Sequence, residues 1–158
     1  MKPKLPTRKT LVNKLDALFS IAIRLRDKKR YGGVCPLCCR RSIGCVFHWI
    51  TRSKHSVRWD FQNATGTCAS CNFENEYNPD KFRIWYLKTH GQEAYESLVY
   101  RSNQLSRFSR SDLMDKIEQI KRYLEDGRNH DGTHPQGTKE SGGSLEGGEV
   151  RGDRWGDR

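Results

Sequence analysis

Cys35-Pro36-Leu37-Cys38, then Phe47-His48-Trp49-Ile50, then Trp59-Asp60-Phe61-Gln62-Asn63, and finally Cys68-Ala69-Ser70-Cys71-Asn72 are the runs on which the reading of this chain turns. A Cys-x-x-Cys pair puts two thiolates on one tight turn, and two such pairs supply the four sulfurs of a closed tetrahedral site. Cys35, Cys38, Cys68 and Cys71 are therefore expected to hold a structural zinc ion. Cys39 could replace Cys38 by a one-residue slip, but the Cys-x-x-Cys spacing favours Cys38. Cys45 lies in the apolar run from Ile43 to Phe47 and reads as a small buried residue. Only 34% of the 158 residues are apolar, so the core is small and a metal staple would decide whether the chain folds.

Outward from these runs, the pattern predicts an α+β fold. Leu11, Leu15, Leu18, Phe19 and Ala22 recur at helical spacing, which predicts a basic amphipathic helix over residues 8–30, stopped by Tyr31-Gly32-Gly33. Residues 34–78 hold the cysteines, His48 and His55 in short runs, as a metal-bound hairpin followed by a helix would. Residues 79–126 read as a helical region. Asp80 after Pro79 is expected to cap a helix carrying Phe82, Trp85 and Tyr86 that Gly91 ends; Ala94, Tyr95, Leu98 and Val99 mark the next; Ser111 is expected to cap the last, which carries Leu113, Ile117, Ile120 and Leu124 and is closed by Gly127. Those aromatics are spaced for packing. Residues 127–158 are rich in Gly, Ser and charge and read as a disordered tail.

Lys and Arg outnumber Asp and Glu by 29 to 19, a net charge of +10, which points to a polyanionic partner. The tail contributes none of this excess: residues 1–126 carry +11. No run approaches the roughly 18 apolar residues of a membrane span, and the basic N-terminus has no signal-peptide pattern, so no membrane partner and a cytoplasmic location are expected. In a reducing compartment, cysteines in this pattern point to metal rather than disulfides.

Between the two cysteine pairs the order of residues carries chemistry. A His at the end of a short strand, an Asn some fifteen residues on, and an Asn directly after Cys-x-x-Cys follow the order of the HNH motif, here His48, Asn63 and Asn72. Phosphodiester hydrolysis needs a base of near-neutral pKa to activate water, which is the role expected of His48. A divalent cation must neutralise charge at the phosphate, and the hard oxygen of Asn72, fixed beside a metal-bound Cys71, suits it. Asn63 would tie the intervening loop and orient the imidazole. Arg52, Lys54 and Arg58 follow the histidine and could hold DNA phosphates, although a solvated charged face would read the same. His55 is an alternative base that fits the order less well.

The run His48-Trp49-Ile50-Thr51-Arg52, then Val57-Arg58-Trp59-Asp60, Asn63, Cys68-x-x-Cys71-Asn72 and Asn78 resembles the Rap/NinG recombination nucleases of lambdoid phages. The similarity extends back to Leu15-Asp16-Ala17-Leu18-Phe19-Ser20 and Ile23-Arg24-Leu25-Arg26, and forward to Tyr86-Leu87 and Gly91. The resemblance implies a zinc-stapled, treble-clef-like ββα-metal core. It also implies a structure-specific endonuclease acting on branched recombination intermediates, such as Holliday junctions and D-loops, with Mg2+ or Mn2+ at the site. A homodimer is expected by the same analogy, because branched DNA offers opposed strands for symmetric cutting. Many HNH enzymes place an acidic metal ligand directly before the base, whereas Phe47 stands there in this chain. The cation would then rest on Asn72, with Asp60, Glu74 or Asn78 as further candidates. Two rival readings share the cysteines and the charge: an HNH nicking or packaging-associated endonuclease on ordinary duplex, and a zinc-dependent nucleic-acid-binding module without catalysis.

Overall fold

The computed structural model describes residues 5–129, which form five helices and a two-stranded sheet. Helix α1 spans Arg8–Arg30, β1 Cys45–His48, β2 Ala64–Thr67, α2 Ala69–Glu74, α3 Pro79–His90, α4 Gln92–Ser102 and α5 Arg110–Asn129. Two single 3-10 turns, His55–Val57 and Phe61–Asn63, interrupt the loop between the strands. The α+β class expected from the sequence holds. None of the described helices is long and apolar enough to cross a membrane.

Helix α1 forms where its periodicity predicts. Thr7 caps it, its hydroxyl accepting from the Thr10 amide at 3.2 Å, and Lys28, Lys29 and Arg30 place cations against the carbonyl end of the dipole. Gly32 and Gly33 then take positive φ, 60° and 80°, which lets the Gly33 amide return to the Lys28 carbonyl at 2.8 Å. The buried stripe Leu11, Leu15, Phe19, Ala22 and Ile23 packs with Leu113, Ile117, Ile120 and Leu124 of α5, with Trp59 and Ala64 completing the cluster.

The strands pair antiparallel, with Cys45 opposite Thr67 and His48 opposite Ala64. Alternation sends the two faces to different cores. Ala64 and Val46 join the α1 cluster, while Phe47 joins Cys35, Cys68, Cys71 and Phe82 on the other side. Gly66 is where α1 comes closest: an added Cβ would lie 2.9 Å from Ile43 Cγ2 and 3.1 Å from Asp27 Cβ. The Gly66 amide donates to the buried Asp27 carboxylate at 2.6 Å. Arg26 pairs with that carboxylate at 2.7 and 2.9 Å and also donates to the Phe61 and Ala64 carbonyls, fastening α1 to β2.

Three helix boundaries differ from expectation. Asn78, not Asp80, stands at the N-cap of α3, with Pro79 as its first residue and Asp80 inside the first turn. Ser109, not Ser111, caps α5: its hydroxyl accepts from the Asp112 amide at 3.1 Å while the Asp112 carboxylate accepts from the Ser109 amide at 2.6 Å. This reciprocal box satisfies two amides at once, which Ser111 cannot do from within the helix. Gly127 does not close α5, which runs on to Asn129; a Cβ at Gly127 would meet Leu25 of α1 at 3.6 Å, so the residue lies where the two helices adjoin. The tail expected to be disordered lies, from residue 130 on, outside the described residues.

Candidate functional site

The four predicted cysteines converge. Each Sγ of Cys35, Cys38, Cys68 and Cys71 lies within 4.8 Å of the others, and Cys38 Sγ to Cys68 Sγ is 3.8 Å. A tetrahedral ion with bonds of about 2.3 Å to sulfur requires edges of about 3.8 Å, so the set is close enough to hold a metal such as zinc. Local structure delivers each pair. An isolated bridge between Val34 and Ser42 and the Cys35 amide donating to the Arg41 carbonyl at 2.7 Å close the first knuckle. Cys68 caps α2, its sulfur accepting from the Cys71 amide at 3.5 Å. Burial pushes the Cys35 and Cys71 thiols up. At Cys38 burial acts the same way but is outweighed by hydrogen bonds from the Arg40 and Arg41 main chain and from the neighbouring cysteines, which bring it down to about 7. Cys39, exposed at φ 53°, serves the turn, and Cys45 stands half-buried outside the cluster.

Cys38, Cys68 and Cys71 line one groove, and a separate cleft of about 310 Å3 is lined by both His48 and Asn72. His48 is the last residue of β1 and faces α1, its ring 6.1 Å from that of Phe19. Asn72 is exposed on α2, directly after Cys71. Arg52 also lines the cleft. Burial, with the Arg52 cation second, lowers the His48 pKa to about 4 against the opposing hydrogen bond to the Arg58 main chain and the Asp16 charge. The imidazole is therefore neutral throughout the neutral range, and it is a weaker proton acceptor than the base of near-neutral pKa expected from the sequence.

Asn63 is fully buried and does not touch the cleft. Its Oδ1 accepts from the Ile50 amide at 2.7 Å, and its Nδ2 donates to the Ile50 and Val57 carbonyls at 3.0 and 2.9 Å. It thus ties down the loop that leaves His48, as its place in the sequence suggests. Arg58 spends its donors inside the protein, on Asp16 at 3.0 and 2.5 Å and on the Arg52 carbonyl at 3.2 Å. Asp16 also accepts from Trp59 Nε1 at 2.8 Å. Burial raises the Asp16 carboxyl, and the Arg58 and Trp59 hydrogen bonds outweigh it and hold the group below the usual range. Lys54 is exposed and reaches Asn103 at 3.4 Å.

Three candidate ligands lie elsewhere. Asp60 caps a 3-10 turn through the Gln62 amide at 2.8 Å and pairs with Arg101 at 2.9 Å. Glu74 and Asn78 line a separate groove on the other side of α2, where Glu74 pairs with Lys81 at 2.6 Å. The oxygen donors that do share the cleft with His48 and Asn72 are Asp16 and Ser20 of α1, Thr51, Asn75 and Glu76. Of these, Asn75 and Glu76 carry a local signal, since they follow Asn72 by three and four residues and so return to the same side of a helical turn. Asp16 has none, because its approach depends on how α1 packs. His55 sits 6.5 Å from Trp59 and His90 4.6 Å from Tyr86, ring to ring, and neither lines the cleft.

No known family, curated protein or solved structure matches this chain. One cleft combines a neutral imidazole, the amides of Asn72 and Asn75, the carboxylates of Asp16 and Glu76 and the guanidinium of Arg52.

Proposed function

We propose that the chain is a metal-dependent DNA endonuclease of the HNH type, in which β1, β2 and α2 form a zinc-stapled ββα-metal core. The observation that carries this reading is that His48, at the end of β1, and Asn72, directly after the fourth cysteine, line one cleft. The order strand, strand, helix with the cysteines at its entry matches what that motif requires.

His48 is the base: neutral and partly desolvated, it accepts a proton from the attacking water at its free ring nitrogen, while the other ring nitrogen is held by the Arg58 main chain. Asn63 and the Asp16–Arg58 pair keep that main chain in place. Arg52 binds the phosphate from the cleft wall. Asn72, with Glu76 and Asn75, would hold a hard divalent cation, Mg2+ or Mn2+, and Glu76 supplies the carboxylate that Phe47 does not. Such a cation, when bound, stabilises negative charge on the phosphate and leaving oxygen. The four cysteines fix Asn72 through the zinc without entering the chemistry.

The resemblance to Rap/NinG nucleases supports branched recombination intermediates as substrate and two copies of the chain acting on opposed strands. Cleavage of a labelled four-way junction against its linear arms, with zinc-loaded protein and Mg2+, Mn2+ or neither, tests both levels. The reading expects cutting that needs the added cation and favours the junction. Equal cutting of the arms would move the substrate to ordinary duplex; binding without cutting would leave a zinc-dependent binding module.

A further inference from the structure

Helix α2 and the turn after it form a ridge between two concavities. Asn72, Asn75 and Glu76 line the His48 cleft on one side; Ser70, Cys71, Glu74 and Asn78 line the other groove. Phe73 and Tyr77, one helical turn apart, stand between these two sets. Both are exposed, by 60% and 74%, and neither belongs to a core cluster. Their rings contact each other, with centroids 5.2 Å apart and planes at 54°. The aromatics of α3 behave differently: Trp85 stacks on Trp49 and Tyr86 is buried.

We propose that Phe73 and Tyr77 form a stacking platform for an unpaired nucleobase of DNA, so that the ridge selects strands already opened at the point of cleavage. The inference rests on the nuclease reading for the meaning of the adjacent cleft, and on the following for its occupant. Two adjacent exposed rings on a protein of net charge +10 match the pairing of π-face and polyanion by which single strands are bound. The groove beyond the ridge, about 1030 Å3, carries Arg40, Arg41, Lys81 and Lys88 against Glu74 and Asp80, which suits a phosphate backbone leaving the platform. Ring spacing sets the mode of contact. With centroids 5.2 Å apart and planes at 54°, the two rings leave no parallel slot between them, so the base lies on the outer face of one ring. A base within continuous duplex has both faces covered and must be unstacked first, whereas one at a gap or branch point is available at once.

The test uses zinc-loaded full-length protein without added Mg2+ or Mn2+, and DNA carrying 2-aminopurine in a short single-stranded gap or in continuous duplex. Wild type is expected to quench the gap fluorophore. Phe73→Ala/Tyr77→Ala should abolish the quench and weaken gapped-DNA binding about tenfold, the order that one stacked base gives, with duplex affinity unchanged. Tyr77→Phe should behave as wild type, because it keeps the ring. Unchanged quenching in the double variant would overturn the proposal, as would equal loss on gapped and duplex DNA, or a shift in sedimentation with quenching intact, which would make the pair a protein contact. Quenching by a protein that cuts no DNA would uphold the platform and remove the nuclease reading; cutting without quenching would remove the platform alone.

Discussion

Replacing Asn63 by Ala isolates what the buried amide does for the His48 loop. The substitution removes three hydrogen bonds of 2.7, 3.0 and 2.9 Å, which served the Ile50 amide and the Ile50 and Val57 carbonyls. Val57 is completely buried, but its carbonyl keeps the Asp60 amide at 3.2 Å as a donor, so its loss sits at the lower part of the roughly 1 to 3 kcal/mol that an unsatisfied buried group costs. Ile50 is half-buried, and its amide and carbonyl recover part of their loss through solvent. With the small cavity left behind, the sum is about 2 to 4 kcal/mol, a substantial share of the 5 to 15 kcal/mol typical of a domain. Urea unfolding at saturating zinc measures it as a fall in midpoint at constant slope. Asn63→Asp should be no better, because it keeps the acceptor for Ile50 but turns a second oxygen toward two carbonyls. A loss below about 1 kcal/mol for Asn63→Ala would refute the reasoning, since it would mean that the loop is held by something other than these bonds.

Chelation of the metal, or Cys68→Ser, is expected to abolish cooperative unfolding and near-ultraviolet circular dichroism, whereas Cys39→Ser should retain equimolar zinc and wild-type spectra. Gly66→Ala should destabilise by about 1 to 3 kcal/mol, because its Cβ would press on Ile43 and Asp27 at 2.9 and 3.1 Å, as seen in a lowered urea midpoint. The His48 pKa is depressed from 6.5 to about 4 in the folded state, so its contribution is complete above pH 6.5 and is lost as pH falls through about 4. A His48→Asn variant should accordingly show a shallower decline in stability between those limits than wild type; parallel curves would contradict the assigned burial.

The parts of this molecule legible in its sequence are those set by local pattern. The stripe from Leu11 to Ala22 marks α1 to within a residue, and the two Cys-x-x-Cys turns announce a cluster that the fold closes. His48 and Asn72 come to line one cleft because each is placed by a neighbour of fixed geometry, a strand end and the helix that Cys68 caps. What escaped depends on distant packing or on reciprocal bonds. Asp60 looks like a metal ligand until Arg101, far along the chain, claims its carboxylate. Arg58 looks like a phosphate contact until α1 brings Asp16 to it, and the same approach brings Asp16 into the cleft. Ser111 and Ser109 are equivalent by composition, and only the answering carboxylate of Asp112 decides between them. Glu74 and Glu76 differ by two residues, which on a helical turn is enough to send them to opposite sides of α2.

The most direct test of the central claim is to compare zinc-loaded wild type with His48→Ala for cleavage of four-way-junction DNA in Mg2+ or Mn2+, with binding of the same DNA measured in parallel. The account predicts that wild type cuts only with the added cation, and that His48→Ala binds with wild-type affinity and cuts at least about a hundredfold more slowly, the lower end of what a general base supplies. Cutting by His48→Ala at the wild-type rate, or binding by wild type with no cutting in either metal, would contradict it.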